Sequence, residues 1–429
     1  MLQQMLRRIV VRQLIKRVDR LRATHTFTVV AVAGGIGKTS TKLAIAQLLG
    51  AHRTVQFQDG NYNDLVTVPL VFFGLPQPSL RNPIAWYKTF RAMDRQLTAD
   101  YPYDVVVLEL GTDAPGDMAE FKRYMHADIG VLTAIVPEHM EYFGTMDAVA
   151  TEELVLADMS RKLLVNADLC DQQYRERITG DIATYGKYDN VDYQLADVAP
   201  GGDGLDFSVV RRGSKFVQAA YAGSSLPLLY AATAAVAVAD ELGMTADQIT
   251  AAMSRVRPAN GRLRRLKGLN GSLIIDDTYN SSPEAAKAAL DTLYATGATH
   301  KIAILGSMNE LGDMTEAAHK QVGSYCDPTQ LKQIFTVGTA ANTILAQAAE
   351  DRGCHVQRCA SPYEAGEYAR VLLNKDTALL AKGSQNGVFA EEAVRMLLAD
   401  PADARYLVRQ SEEWLNIKQK QFGERPRST

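Results

Sequence analysis

Hydrophobic residues are spaced in two ways along this chain, and the two spacings alternate. Short runs rich in Val, Ile and Leu predict buried strands, and longer stretches with apolar residues every three or four positions predict helices. In the first half of the chain the runs predict strands at Thr28–Ala33, Asp104–Glu109, Ile129–Ile135 and Lys162–Asn166. Because helical stretches separate these runs, the pattern indicates an α/β fold with a mostly parallel sheet.

A second alternating region follows Pro258-Ala259-Asn260-Gly261, a sequence typical of a hinge. Its strands are predicted at Leu273–Asp276, Lys301–Leu305, Gln333–Val337 and Thr377–Ala381. Its helices are predicted at Pro283–Ala295, Thr315–Tyr325, Ala340–Arg352, Pro362–Leu373 and Asn386–Leu398. This order is typical of a doubly wound, Rossmann-like domain.

Three other stretches complete the predicted organisation. Asn190 to Ala220 predicts a small hairpin, Leu228 to Leu242 an Ala-rich helix, and Lys418 to Thr429 a frayed polar end. We therefore predict three parts: a helix at 1–25, a central α/β domain at 26–258 and a C-terminal Rossmann-like α/β domain at 259–429.

The first 22 residues predict one amphipathic helix with many basic residues. Leucine, isoleucine, valine and methionine recur at helical spacing, and seven Arg and Lys residues occupy most other positions. One interpretation is a helix that packs on the protein body, with its long basic side chains along the edges. The other is a helix that docks on an anionic membrane surface or on a protein partner.

Composition narrows the class of protein. The chain has 429 residues, 47% of them hydrophobic and 22% charged, with a net charge of −3, so it carries no overall nucleic-acid signature. The four cysteines lack paired metal-ligand spacing, and no apolar run approaches the ~20 residues of a membrane span. We expect a reduced, cytoplasmic location, with peripheral membrane contact if the basic helix docks there.

Val29 to Ser40 carries the strongest chemical signal. An apolar strand leads into Gly34-Gly35-Ile36-Gly37-Lys38-Thr39-Ser40, and a helix is predicted from Thr41 to Leu49. Glycines after a strand let backbone N–H groups turn toward an anion, and the helix adds its positive end. Lys38 would neutralise the outer phosphates and Thr39 would hold Mg²⁺, so we expect the chain to bind ATP in a P-loop-type domain.

Two further strand ends offer metal ligands. Glu109 ends a predicted strand, at the sheet edge where ligands gather in α/β folds, and resembles an acid that holds Mg²⁺. His139 follows another strand and would reach a second cation, although a histidine in such a place also serves structural roles.

The second α/β region has three candidate sites of its own. Arg262 follows the hinge and offers a guanidinium to a transferring phosphoryl group. Asp276 to Pro283 closes a strand with two acids and Asn280, and Lys382-Gly383-Ser384 closes the last main strand with a cation and a small turn.

Taken in order, these motifs resemble the ATP-dependent Mur ligase family, most closely the branch that adds D-alanyl-D-alanine. The resemblance covers roughly Val29 to Leu398. It rests on the phosphate loop, Glu109-Leu110-Gly111, Pro137-Glu138-His139, Gly261-Arg262, Asp276-Asp277-Thr278-Tyr279-Asn280, Ile304 to Gly312 and Lys382-Gly383-Ser384.

The resemblance implies a central ATPase domain, a mobile C-terminal domain, and amide formation through an acyl-phosphate. Lys38, His139, Arg262 and Asp277 would then be catalytic, with Mg²⁺ on Thr39, Glu109 and His139. The glycine loop with Ser40, together with Arg262, Asp277 and Asn280, would contact ATP. Lys382 and Ser384 would contact the acceptor or the donor.

Three departures from the family pattern change these expectations. The carboxylated lysine usual in the family is replaced, counting from Gly144, by Glu153, which we expect to act as a Mg²⁺ ligand in its place, with Glu152 as the neighbouring alternative. The His-Asn segment that usually opens the Ala-rich helix is absent, which leaves the adenine contacts open. Ser307 stands where the branch has Asp.

The front of the chain departs most. Typical bacterial members of the family carry an N-terminal domain of around a hundred residues that grips a UDP-sugar, whereas about 25 residues precede the first strand here, too few for such a domain. We expect a partner protein to supply recognition, or a different acceptor.

The leading hypothesis is a ligase that joins an amino acid or dipeptide to a peptide carboxylate in cell-wall assembly. The alternatives are a folylpolyglutamate-synthase-like or polymer-forming ligase, and a non-catalytic ATP-binding partner subunit.

Overall fold

The computed structural model of this chain describes residues 2–58, 62–137, 140–188, 190–201, 204–223, 225–309, 311–384 and 387–423, with side chains from residue 5 onward. The chain divides into two compact units. Unit 1 comprises Met1–Tyr221 and Leu226–Arg257, and unit 2 comprises Ala222–Ser225 and Pro258–Thr429.

Unit 1 alternates strands and helices as the hydrophobic spacing predicts. Its strands are β1 (Thr28–Ala33), β2 (Val55–Gln56), β3 (Val105–Glu109), β4 (Ala127–Leu132), β5 (Ser160–Asn166), β6 (Asp181–Gly186), β7 (Tyr193–Pro200), β8 (Leu205–Arg211) and β9 (Ser214–Tyr221). Its helices are α1 (Leu2–Thr24), α2 (Lys38–Leu49), α3 (Thr67–Val71), α4 (Pro83–Gln96), α5 (Asp117–Lys122), α6 (Met140–Phe143), α7 (Met146–Glu153), α8 (Val155–Asp158), α9 (Gln172–Arg175), α10 (Leu226–Glu241) and α11 (Ala246–Met253).

The strands of unit 1 that the described residues form belong to one sheet, in the order β2-β3-β1-β4-β5-β6-β7-β8-β9. The strands from β2 to β7 pair in parallel, and β7, β8 and β9 pair antiparallel. The prediction of a small hairpin between Asn190 and Ala220 is therefore wrong in extent. Strands β7, β8 and β9 lie there, and β7 extends the main sheet by pairing with β6. The local spacing of apolar residues does not reveal such a long-range contact.

The basic N-terminal helix packs on unit 1. Leu14, Val18 and Leu21 are fully buried in the same apolar cluster as the central strands. Arg17 lies over the ring of Phe90, 4.6 Å from its centroid, and donates two hydrogen bonds to Asp94. The helix thus has a buried face with an ion pair at its edge. Among the described residues, no helix is both long and apolar enough to cross a bilayer.

Unit 2 contains a second sheet with helices around it. Its strands are β10 (Arg264–Lys267), β11 (Leu273–Asp277), β12 (His300–Gly306), β13 (Leu331–Val337), β14 (Val356–Cys359) and β15 (Thr377–Lys382). Its helices are α12 (Pro283–Tyr294), α13 (Thr315–Tyr325), α14 (Ala346–Asp351), α15 (Pro362–Arg370), α16 (Glu391–Leu397) and α17 (Glu412–Phe422). A π-helical turn (Ala341–Leu345) leads into α14, and short 3₁₀ turns lie at Leu269–Gly271, Gly312–Met314 and Pro401–Tyr406.

The sheet of unit 2 runs β10-β11-β15-β12-β13-β14, and all its pairs except β10–β11 are parallel. In both units mostly parallel strands are covered by helices, which confirms the predicted α/β fold class.

The predictions for the last two segments of unit 2 are wrong. The last predicted helix begins at Glu391 rather than Asn386, which itself lies outside the described residues. The frayed end predicted from Lys418 onward is instead helical to Phe422, and Lys418 is fully buried in α17. A buried lysine is rare and needs a charged partner, which only the folded chain supplies.

Candidate functional site

The glycine loop after β1 is held tightly against the neighbouring strand. Gly34 has φ 122°, and a Cβ atom there would lie 2.4 Å from Thr133 Oγ1. The N–H of Gly35 donates to the carbonyl of Ala134 over 2.9 Å. Only glycine fits at position 34, because both the backbone angle and the available space exclude a side chain.

Helix α2 begins one turn earlier than predicted, so Lys38, Thr39 and Ser40 form its first turn. Gly37 precedes it with φ 83° and provides no side-chain cap. The first N–H groups of a helix have no partner within the helix, and the helix dipole adds positive potential at this end of α2. Lys38 Nζ donates to the carbonyl of Gly34 over 2.6 Å. This arrangement fits the phosphate groups of a nucleotide.

Glu109 lies at the end of β3, beside the loop. In the parallel ladder it is opposite Val32 of β1. Its Oε1 accepts a hydrogen bond of 3.0 Å from Thr39 Oγ1, and its Oε2 lies 3.0 Å from Lys42 Nζ. The side chains of Lys42 and Glu109 are 2% and 3% exposed. The predicted pair of Thr39 and Glu109 is thus in direct contact.

Lys42 was not identified from the sequence. It lies four residues after Lys38, so both lysines extend from the same side of α2, and this spacing is the signal that could have identified it. In the folded protein its ammonium group balances the buried carboxylate of Glu109.

The two neighbouring glutamates of α7 have different environments. Glu152 accepts hydrogen bonds from the N–H groups of Gly116 (2.8 Å) and Met118 (2.6 Å), and so caps α5. Glu153 is 2% exposed and accepts a hydrogen bond of 3.3 Å from Thr112 Oγ1. Both glutamates thus contact residues that follow β3, and Glu153 contacts the one nearer to Glu109, because Thr112 lies three residues after Glu109.

A divalent cation would have few protein ligands in unit 1. Among the described residues, no three His, Cys, Asp or Glu side chains lie close enough together to bind one. His139, the predicted ligand of a second cation, lies outside the described residues. Mg²⁺ typically binds one or two carboxylates and completes its octahedron with water and substrate phosphates. The contact between Thr39 and Glu109 fits such a site.

Arg262 of unit 2 is fixed by its own turn and by an aromatic ring. Its guanidinium carbon lies 4.3 Å from the ring centroid of Tyr279. Gly261 and Leu263 on either side have φ 66° and 51°, and the N–H of Tyr279 donates to the carbonyl of Gly261. Positive φ at a leucine is rare and is found where surrounding structure holds the backbone. The half-buried guanidinium therefore has a defined position.

Asp277, Asn280, Lys382 and Ser384 lie together in unit 2. Lys382 Nζ is 2.9 Å from Asp277 Oδ2 and also donates to the carbonyl of Asn280. Ser384 Oγ is 3.4 Å from the side-chain oxygen of Asn280, and Asp277 Oδ1 accepts from the N–H of Leu263. The structure thus brings together four residues that the sequence placed at two separate strand ends.

Burial changes proton affinity in this cluster. Burial lowers the pKa of the Lys382 ammonium below its usual range, although the adjacent carboxylate of Asp277 opposes the shift. Burial also raises the pKa of Asp276 to about 7, and Glu391 adds to the shift while hydrogen bonds from Thr278 oppose it. Two ionisable groups whose pKa values are shifted toward neutrality are typical of a functional site and also occur in structural ion networks.

The residues around Ser307 form hydrogen bonds with other groups of unit 2. Ser307 Oγ accepts a hydrogen bond of 3.0 Å from the N–H of Ala341. His319 accepts from the N–H of Met308 through Nε2, and its Nδ1 is 2.7 Å from the carbonyl of Thr315. These bonds hold the end of β12, so both side chains have structural partners.

Models of two known domains match most of the chain. The Mur ligase middle domain matches residues 32–239, and the Mur ligase, glutamate ligase domain matches residues 261–385.

A similar curated protein is the UDP-N-acetylmuramoyl-tripeptide–D-alanyl-D-alanine ligase of Bacillus subtilis (strain 168). It is 27% identical over 394 residues, which cover 87% of this chain and 76% of the relative.

Solved structures share the fold at lower identity. MurF ligase from Thermotoga maritima, in complex with ADP, superimposes with a TM-score of 0.71 at 23% identity, covering 90% of this chain and 83% of that one. The folylpolyglutamate synthase of Mycobacterium tuberculosis gives 0.62 at 18% identity, covering 89% and 94%.

Proposed function

Because the chain belongs to the Mur ligase family, we propose that it is an ATP-dependent ligase that forms an amide through an acyl-phosphate. The observation that carries this proposal is the contact between Thr39 and Glu109 beside the glycine loop. A hydroxyl and a carboxylate in contact at that place are the two groups that a nucleotide-bound Mg²⁺ requires.

The proposed reaction has two steps, the formation of an acyl-phosphate and its conversion to an amide. A carboxylate oxygen of the acceptor attacks the γ-phosphorus of ATP, and ADP leaves with the bridging oxygen. The amine of the donor then attacks the acyl carbon, phosphate leaves, and the amine loses a proton to give the amide. Two anions must meet in the first step, so the site has to supply concentrated positive charge.

Residues of unit 1 would bind the triphosphate. The N–H groups of the loop and of the first turn of α2 (Gly34, Gly35, Gly37, Lys38, Thr39 and Ser40) would donate to phosphate oxygens. Lys38 would exchange its hydrogen bond with the carbonyl of Gly34 for one with the outer phosphates. Lys42 would remain the counter-ion of Glu109.

Mg²⁺ would be held by Thr39 and Glu109, and Glu153 would bind a second ion in place of a carboxylated lysine, together with His139. The ions would neutralise developing charge on the phosphoryl group. The contact of Glu153 with Thr112 supports its role, because Thr112 lies three residues after Glu109, the proposed ligand of the first ion.

Residues of unit 2 would act on the transferring group and the substrates. We propose that Arg262 neutralises charge on the phosphoryl group, and that Asp277 and Asn280 contact the nucleotide. Lys382 and Ser384 would contact the acceptor or the donor. The ion pair of Lys382 with Asp277 supports this assignment, since it links the two groups of residues.

The proposed acceptor is a muramyl-type peptide with a free carboxylate, and the proposed donor is D-alanyl-D-alanine. The names of the curated relatives support this choice. The likeness to a folylpolyglutamate synthase keeps a folate acceptor with glutamate as the second candidate. We propose a cytoplasmic enzyme, with the exposed basic face of α1 as the contact for a protein partner or a membrane surface.

Phosphate release from ATP tests the proposal directly. Full-length protein is mixed with ATP, Mg²⁺ and a UDP-muramyl tripeptide, with and without D-alanyl-D-alanine, and the product is identified by mass spectrometry. We expect phosphate and the pentapeptide product in equal amounts only when both substrates are present. Stimulation by glutamate with a folate would favour the second candidate. Nucleotide binding without turnover on either set would contradict a ligase.

A further inference from the structure

The residues that follow the last 3₁₀ turn lie next to Arg262 and to Tyr279, whose ring the Arg262 guanidinium contacts. A Cβ atom on Gly261 would come within 2.9 Å of Val408 Cγ1, so Val408 abuts the turn that carries Arg262. The next residue, Arg409, has φ 53° and is largely buried, with its side chain 7% exposed. This segment was not identified as functional from the sequence.

The guanidinium of Arg409 joins a buried carboxylate to the backbone of the candidate site. Its Nη1 donates to the carbonyl of Tyr279 over 3.0 Å, and its Nη2 donates to the carbonyl of Thr278 over 2.6 Å. Its Nε and Nη2 donate to the two oxygens of Glu391 over 2.9 and 2.8 Å. A planar fork makes both sets of bonds at once, which a lysine cannot do.

Helix α17 fixes Glu391 and Arg409 from the other side. Lys418 Nζ lies 2.8 Å from Glu391 Oε1 and donates to the carbonyl of Arg409 over 2.8 Å. Its side chain is 1% exposed. Glu391 is therefore held by two cations, and the buried network resists rearrangement because any broken bond leaves a charge without compensation. We call Arg409, Glu391 and Lys418 the buttress.

We propose that Arg409 is a positioning residue for Arg262. By holding the carbonyl groups of Thr278 and Tyr279, it fixes the ring on which the Arg262 guanidinium lies, and so fixes that guanidinium for phosphoryl transfer. The role of Arg262 in transfer rests on the proposed function. The claim that the buttress holds the loop around Tyr279 in place rests only on the contacts described above.

A double-mutant cycle in the rate of phosphate release tests the coupling. Arg409→Lys is expected to lower kcat about 10- to 100-fold, since a small displacement of a catalytic group costs this much. In an Arg262→Ala background the same change is expected to lower kcat by less than about threefold, because the group it positions is gone. Arg405→Lys, at an exposed arginine of the preceding 3₁₀ turn, is the control and should leave kcat unchanged.

Equal loss of kcat in both backgrounds would overturn the proposal, because it would show general damage rather than action through Arg262. A kcat of Arg409→Lys equal to that of the unaltered protein would also overturn it.

Hydrogen exchange tests whether the buttress holds the loop around Tyr279, and it does not require the protein to turn over substrate. The N–H of Tyr279 donates to the carbonyl of Gly261 and reports on the loop. In Arg409→Ala we expect exchange at Tyr279 at least about tenfold faster, a change of about 1.4 kcal/mol in local opening. In Arg405→Ala we expect no change. Unaltered exchange in Arg409→Ala would overturn the buttress, whereas absence of ligase turnover in the unaltered protein would overturn only the proposed function.

Discussion

At the residue scale, the candidate site depends on charges that are buried in pairs. Glu109 and Lys42 in unit 1, and Asp277 and Lys382 in unit 2, are each within 3.0 Å and almost inaccessible to water. The sequence identified Glu109, Asp277 and Lys382 because each ends a strand, where ligands bind in α/β sheets. It did not identify Lys42, since a lysine inside a helix is normally exposed and only the folded sheet buries it.

Breaking the first of these pairs should cost much stability. Lys42→Met leaves the Glu109 carboxylate buried without its counter-ion, so we expect a loss of about 3 kcal/mol in the free energy of unfolding, measured by urea denaturation. Lys122→Met, which removes an exposed pair with Asp158, is the control and should cost less than about 1 kcal/mol. Equal losses in the two variants would contradict the buried pair.

The two glutamates of α7 should separate function from stability. Glu153→Gln preserves shape and removes the charge proposed for the metal, so we expect ligation to fall at least about 100-fold with little change in unfolding. Glu152→Ala removes the cap of α5 and should cost about 1–2 kcal/mol in unfolding free energy. Full activity of Glu153→Gln at saturating Mg²⁺ would rule out its proposed role. Only the resemblance, and no local pattern, indicated this residue in the sequence.

Asp276 should make stability depend on pH. Because burial raises its pKa from the ordinary 3.8 to about 7, the folded protein retains a proton that the unfolded chain releases. Between those values the contribution of Asp276 to stability falls as pH rises, by up to about 1.4 kcal/mol per pH unit. Between pH 5 and pH 7, we expect the free energy of unfolding, measured by urea titration, to fall less in Asp276→Asn than in the unaltered protein. Parallel pH profiles of the two proteins would contradict the raised pKa.

At the element scale, the sequence predicted the strands and the long amphipathic helices. It did not predict the elements that depend on distant partners. The boundaries predicted for β1 agree with the structure, because its apolar run is continuous and the glycine loop ends it. Helix α17 was missed because its buried face includes Lys418, whose partners Glu391 and Glu392 lie in α16. Polarity alone cannot distinguish such a helix from a frayed end.

The glycine loop is the element whose geometry tolerates least change. Gly34→Ala places a Cβ atom 2.4 Å from Thr133 Oγ1 and 2.7 Å from the backbone nitrogen of Ala134. We expect loss of ATP binding, measured by calorimetry, together with a lower melting temperature. Gly213→Ala also lies at positive φ but meets no atom within 4 Å, and should cost only about 1 kcal/mol with ATP binding intact. Normal ATP affinity in Gly34→Ala would contradict the proposed phosphate site.

At the scale of the whole molecule, the order of the motifs carried more information than any one of them. Each is short, and a strand end with Glu or Lys-Gly-Ser is common in unrelated proteins. The family models match both halves of the chain in that same order. Substrate identity does not follow from this order, because the shared chemistry needs only a carboxylate, an amine and ATP.

The proposed function requires an acyl-phosphate, and the transfer of an oxygen isotope shows whether one forms. The acceptor is labelled with ¹⁸O in its free carboxylate and ligated to D-alanyl-D-alanine by the full-length protein with ATP and Mg²⁺. If that carboxylate attacks the γ-phosphorus, mass spectrometry will find one ¹⁸O in each phosphate released. Unlabelled phosphate beside a ligated product, or label in AMP, would contradict an acyl-phosphate intermediate.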